Sequence, residues 1–199
     1  MRVLIVTNMW PSPERPAFGV FVRDQVEALR GLAIADLEID VEVLPPSTYL
    51  RAIPGLRRRR RATHYDIVHA HFGLTLWPAL AVPAAAHAVT LHGTDLRHPR
   101  TGVITRAGLR YADLVATVGE DLAAELPVPR SGQHRAILPC GVATDRFRPL
   151  PRAAAREHLG LKADGRYLLL PADPARPGKR TPKHPVPAGF ARRKSEGTP

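Results

Sequence analysis

Short apolar runs rich in β-branched residues recur seven times along this chain, separated by segments of helical or turn character. Val3-Leu4-Ile5-Val6 is the first, and residues 39–44, 66–70, 88–91, 113–118, 135–138 and 167–170 follow. A strand with one wet face alternates apolar and polar residues, whereas an unbroken run suits a strand covered on both faces, as in a parallel sheet. The intervening segments read as helices. Val22, Val26 and Leu29 fall at i, i+4 and i+7 within residues 19–32, while Arg23, Asp24, Glu27 and Arg30 point elsewhere. Gly119-Glu120 opens another helix through Leu126, and Pro151 opens a third that stops at Gly160. Strands alternating with helices predict an α/β fold, a Rossmann-like doubly wound parallel sheet.

Six strands with their crossovers occupy residues 2 to about 150, which predicts a first domain over 1–165. Residues 166–180 read as the first strand and loop of an incomplete second domain. Residues 181–199 hold four prolines and only Val186 and Phe190 as large apolar side chains, so they read as a disordered basic tail.

Charge is distributed unevenly. The chain carries 29 Lys/Arg against 18 Asp/Glu, a formal net charge of +11. Five of the basic residues are the run Arg57, Arg58, Arg59, Arg60 and Arg61, read as a loop between the second and third strands, and seven more lie in residues 175–199 beside one acid. The rest has 17 basic and 17 acidic residues, so the folded part is neutral and gives no footprint for specific nucleic-acid binding. A hydrophobic fraction of 44% excludes a wholly disordered chain. No apolar run approaches the ~18–20 residues of a membrane span, and the first run is shorter than the ~7–15-residue core of a signal peptide, which predicts a cytoplasmic protein. The single cysteine, Cys140, forms no internal disulfide, in keeping with a reducing compartment.

In an open parallel sheet, ligands bind beyond the carboxyl ends of the strands where strand order reverses. Polar and glycine residues collect there: residues 8–19, His69-Ala70-His71-Phe72-Gly73, His92-Gly93-Thr94-Asp95, Gly119-Glu120 and Cys140-Gly141. With the common order 3-2-1-4-5-6, the loops after the first and fourth strands flank the crevice and Gly19 faces His92. The alternation Asp36, Glu38, Asp40 reads as the solvent face of a strand approach, with nothing catalytic in it.

Four segments together resemble the amino-terminal half of family 4 glycosyltransferases: Pro13-Glu14-Arg15-Pro16-Ala17-Phe18-Gly19 leading into Phe21-Val22-Arg23-Asp24-Gln25, Asp66-Ile67-Val68-His69-Ala70-His71-Phe72-Gly73, Thr90-Leu91-His92-Gly93-Thr94-Asp95-Leu96, and Gly141-Val142-Ala143-Thr144-Asp145-Arg146-Phe147-Arg148-Pro149. The resemblance covers about residues 1–180. It implies the GT-B fold, in which two Rossmann-like domains face each other. The first takes the acceptor and the second a nucleotide-sugar, and the sugar is transferred with retention and without a metal or other cofactor. The implied partners are a nucleotide-sugar donor and a saccharide or lipid-linked acceptor.

The resemblance makes His92 the catalytic candidate, a crevice histidine that contacts the donor sugar and orients the acceptor hydroxyl. Gly19, His71, Gly93, Thr94, Asp95 and Glu120 form the implied substrate-binding set. Each has a plainer alternative. Gly19 brings backbone N–H groups close to a phosphate or only permits a loop-to-helix turn. His92 and His71 contact substrate or only bond neighbouring loops. Asp95 holds acceptor or His92, or caps a helix, and Glu120 binds substrate or starts one.

Arg176 and Lys179 resemble the basic pair that grips the donor diphosphate, although Asp173-Pro174 replaces the usual Gly-Arg before them. Cys140 and Ala143 stand where asparagine and aspartate are usual. The run at 57–61 falls where relatives with lipid-linked acceptors carry basic surface, so peripheral contact with the anionic inner face of a membrane is expected beside a merely solvated loop. The family's donor pocket has no counterpart after Lys179-Arg180. The expectation is therefore a truncated glycosyltransferase with weak or absent activity, or an inactive acceptor-binding remnant.

Overall fold

The structure, a computed structural model, describes residues 1–167 except Ala33, Ala35 and Ser47. The chain divides into two units between Arg148 and Pro149. The first unit comprises β1 (Arg2–Thr7), α1 (Val20–Gly31), β2 (Glu38–Val43), α2 (Tyr49–Arg60), β3 (Tyr65–His71), a 3-10 turn (Gly73–Thr75), α3 (Leu76–Ala79), β4 (Ala84–Leu91), α4 (Thr94–Arg97), α5 (Pro99–Leu109), β5 (Leu114–Thr117), α6 (Glu120–Ala123) and β6 (His134–Ile137). All six strands are parallel, and the α/β, Rossmann-like reading of the sequence holds.

Alternate residues of each strand point to opposite layers. Val3 and Ile5 of β1 pack with Ile39 and with Val22 and Val26 of α1 on one face. Leu4, Val6, Val68, Val89 and Val115 pack on the other, against Leu56 of α2, Leu76 of α3 and Leu109 of α5. Helices on both faces explain why Val3-Leu4-Ile5-Val6 of the central β1 is apolar without a break, whereas β2 at the sheet edge carries Asp40 and Glu42.

Strand order is 2-1-3-4-5-6, which corrects the expected 3-2-1-4-5-6. The α1 crossover places β2 on one side of β1, and the α2 crossover returns over β1 to place β3 on the other. The reversal therefore lies between β1 and β3, flanked by the loops that follow those two strands.

The arginine run is not a loop: Arg57, Arg58, Arg59 and Arg60 form the last turn of α2, where the helix dipole favours cations. Arg59 and Arg60 ion-pair with Glu42 of β2, and Arg60 also reaches Asp40 at 3.6 Å. Tyr65 donates its hydroxyl to Asp40 Oδ2 at 2.7 Å, so the β2 carboxylates brace that helix end. Helix α5 carries no clear apolar period because it relies on close approach instead. A Cβ at Gly102 would lie 2.3 Å from the Leu96 carbonyl oxygen.

The second unit, described by itself, contains α7 (Arg152–His158). Arg156 donates to the Gly165 carbonyl at 2.6 Å and lies over the Tyr167 ring. The expected seventh strand, apart from Tyr167, the basic tail, Arg176 and Lys179 lie outside the described residues.

Candidate functional site

The carboxyl edge of the sheet on the α1 side gathers most of the residues singled out by sequence. Gly19 precedes α1 with φ 72°, and no side chain caps the helix start. The left-handed backbone and the fit both call for glycine, since a Cβ there would lie 2.2 Å from the Met9 carbonyl carbon. Gly19→Ala is expected to cost about 2 kcal/mol through overpacking and strain, read as a lowered urea midpoint. An unchanged midpoint would show that the Met9-Trp10 backbone yields.

Two residues into α1, Phe21 sets its ring 4.9 Å from that of His92, which follows β4. The helix start and His92 thus meet at one edge. Beside them a cleft of about 430 Å³ is lined by Asp24 and Gln25 of α1, Thr90 and His92, and the segment after β6 that includes Cys140 and Ala143. Asp24 is paired with Arg23 at 3.0 Å and with Arg146. These guanidinium contacts, Arg23 foremost, hold its carboxyl below the usual carboxylate range.

His71 does not face open space. It is 1% exposed, stacked between His69 and His92, with its Nδ1 3.3 Å from His92 Nε2. Burial, and then the neighbouring rings, push its imidazole well below the usual range, and burial pushes His69 down to about 4. His92 is lowered by burial and partly restored by the charge of Asp95.

Asp95 is fully buried. Its carboxylate accepts main-chain N–H groups from Gly93 at 2.8 Å, from His92 at 3.0 Å and from Gly73 at 3.3 Å. The residue at the cap position of α4 is Gly93, and Asp95 reaches back over it. The carboxylate therefore ties the loops after β3 and β4 together instead of facing the cleft. Gly93 is buried with its N–H committed to Asp95, while Thr94 is exposed on the first turn of α4. Glu120 is exposed as the first residue of α6, where a carboxylate suits a helix start.

Two participants were not singled out by sequence. Thr90 sets its hydroxyl 2.8 Å from His69 Nε2, and Phe72, at φ 91°, bends the chain after β3. A threonine within an apolar strand run was the available signal for the first. Among the described residues, no cluster of His, Cys, Asp and Glu could hold a metal ion, and no helix is long and apolar enough to cross a membrane.

On the opposite side of the sheet, Tyr49, Leu50, Arg51, Leu74, Trp77 and Ile104 line an apolar groove of about 600 Å³. Its edge approaches the strand tips, because the Tyr49 hydroxyl accepts from Asn8 Nδ2 at 2.8 Å and its ring neighbours Phe72.

Comparison with known proteins agrees with the motifs. A Bacillus subtilis (strain 168) protein that carries the name teichuronic acid biosynthesis glycosyltransferase TuaC, a provisional assignment, is 24% identical over an alignment of 224 positions. The alignment takes in 85% of this chain and 57% of that protein, so the chain spans little more than half the length of this relative. The sequence also matches Glycosyltransferase Family 4 over residues 2–146, the whole of the sheet-bearing unit as far as Arg146. The chain belongs to glycosyltransferase family 4.

Proposed function

We propose that residues 1–148 form the acceptor-binding half of a GT-B glycosyltransferase that moves a sugar, with retention and without a metal, from a nucleotide-sugar to a saccharide or lipid-linked acceptor. The observation that carries this reading is the meeting of His92 with the uncapped start of α1 beside a cleft at the carboxyl edge of the sheet. In the reaction, the acceptor hydroxyl oxygen bonds to the anomeric carbon as the bond from that carbon to the diphosphate breaks. The hydroxyl proton passes to the departing diphosphate. Negative charge grows on that group, so unpaired N–H groups near Gly19 lower the barrier if the diphosphate reaches them. Arg176 and Lys179, by the resemblance of their motif, are the candidates for gripping the donor diphosphate.

The test combines the chain with a panel of UDP- and GDP-sugars and an acceptor mixture, following diphosphate release and, separately, perturbation of the His92 ring resonances. Turnover supports the enzyme. Acceptor perturbation without turnover supports the second reading, an acceptor-binding module that depends on a partner domain for chemistry. If neither saccharides nor nucleotide-sugars disturb His92, both readings fail.

A lipid-linked acceptor is favoured by the apolar groove beside Arg51 and by Arg57, Arg58 and Arg61, which are exposed and form no ion pair among the described residues. At about 1 kcal/mol for each basic residue near an anionic surface, these four suffice for reversible attachment. The chain is expected to sediment with phosphatidylglycerol vesicles at low salt, and Arg57→Glu with Arg58→Glu should release it. Equal binding to neutral vesicles would overturn the membrane contact.

A further inference from the structure

Register places His71 of β3 beside Thr90 of β4 and His69 beside Ala88, so both histidines share the face that α1 covers. Their rings stack at 4.5 Å and 30°, His71 stacks on His92 at 5.6 Å and 25°, and His92 meets Phe21. The ladder runs from the sheet interior to the cleft. His69 Nε2 has Thr90 Oγ1 as partner, and His71 Nδ1 has His92 Nε2. His71 Nε2 is buried with no hydrogen-bond partner.

A hydrogen bond between two neutral imidazoles needs one N–H and one lone pair, which leaves two arrangements. If His92 Nε2–H donates, His71 must carry its own proton on Nε2, where nothing accepts it. If His71 Nδ1–H donates, the unpartnered nitrogen is only a bare lone pair. A buried N–H without an acceptor is the rarer and more costly state. We infer that His71 is a positioning residue: its Nδ1–H donates to His92 Nε2, which fixes His92 as the Nδ1–H tautomer and offers the cleft a neutral N–H donor. A donor of this kind suits a ligand oxygen, such as a sugar hydroxyl or a phosphate oxygen.

The same lock opposes an imidazolium at His92. A second proton on Nε2 would meet the His71 Nδ1–H, and His71 would have to move its proton to the unpartnered nitrogen. The groups around His92 are His71 from β3, with His69 stacked behind it, Asp95 from α4 and the Phe21 ring from α1, with Asp24 lining the same cleft. Only the two carboxylates favour a charged ring.

The inference rests on the glycosyltransferase reading for the use made of the donor, while the tautomer itself is measured without substrate. Long-range proton–nitrogen correlation spectra of the uniformly ¹⁵N-labelled 199-residue chain at pH 7 should show both His71 and His92 protonated at Nδ1. His71→Phe keeps a flat ring but removes the donor, so His92 should shift toward the Nε2–H form that free imidazole side chains prefer, and its apparent pKa should rise. His71→Asn, whose amide can place an N–H where Nδ1–H stood, should restore the wild-type pattern. A wild-type His92 carrying its proton on Nε2 overturns the proposal, as does a His71→Phe spectrum identical to wild type. If that variant does not fold, the wild-type and His71→Asn spectra decide. Added nucleotide-sugar or saccharide that leaves His92 unmoved would sink the transferase reading and leave the tautomer result standing.

Discussion

Between pH 7 and pH 4.5 the folded chain should lose about 2.5 kcal/mol of stability through His69 alone. His69 sits in β3 opposite Ile5 of β1, on the face packed by α1, and burial there disfavours its charged form. The unfolded chain binds this proton near 6.5, whereas the fold admits it only at about 4. Well above 6.5 neither state is protonated and stability is flat. As the pH falls from 6.5 toward 4 the unfolded state gains protons that the folded state refuses, so stability falls across that window. His71 and His92 are lowered too, both chiefly by burial, and they steepen the loss. Asp24 and Asp113, whose carboxyls lie below their usual range, stabilise the fold above that range and lose this contribution only at lower pH. Urea midpoints followed by tryptophan fluorescence at pH 7 and pH 4.5 measure the effect. His69→Gln, which can still reach Thr90, should remove the His69 share of the dependence and leave that of His71 and His92. Equal midpoints for the wild-type chain at the two pH values would refute the buried neutral ladder.

How far the sequence reaches depends on whether the information is local. The alternation of strands and helices is carried by segments such as Val3-Leu4-Ile5-Val6 and the Val22, Val26, Leu29 face, so the fold class was legible. Strand order was not, because no residue of the α2 segment says on which side of β1 the chain returns. The arginine run read as a loop because it has few apolar positions. Its helical character comes from Leu56 on the inner face and from Glu42 and Asp40, carboxylates on another element. Helix α5 was hidden because small residues at Gly102 and Gly108 replace an apolar stripe. At the site, the loops after β1 and β4 were expected to flank one crevice, and what the structure brings together there is Phe21 of the first turn of α1 and His92. The histidine ladder was only half visible. The two-residue spacing of His69 and His71 puts them on one face, but the ring of His92 joins them only through the β3–β4 register.

Asp95→Ala is expected to cost on the order of 4 kcal/mol, the largest effect of any single substitution considered at this edge. Its carboxylate lies fully buried and takes N–H groups from Gly93, His92 and Gly73. Alanine would leave all three donors without an acceptor in a place from which solvent is excluded, and each such orphan costs about 1–3 kcal/mol. Relaxation and an entering water recover part of this, which keeps the total below the sum. Asp95→Asn keeps the shape and one acceptor oxygen but turns an amide N–H toward a main-chain N–H, so about half the loss is expected. The two loops that Asp95 ties follow adjacent strands, and one of them carries His92. Loss of stability should therefore be accompanied by loss of the Phe21–His92 contact, seen as a shift of the Phe21 ring resonances in the variant at a pH where it remains folded. A substitution that only opened a cavity would leave that contact in place. A measured cost under about 1 kcal/mol for Asp95→Ala would mean that water replaces the carboxylate fully, and the rigid placement of His92 would then have to come from the ring ladder alone.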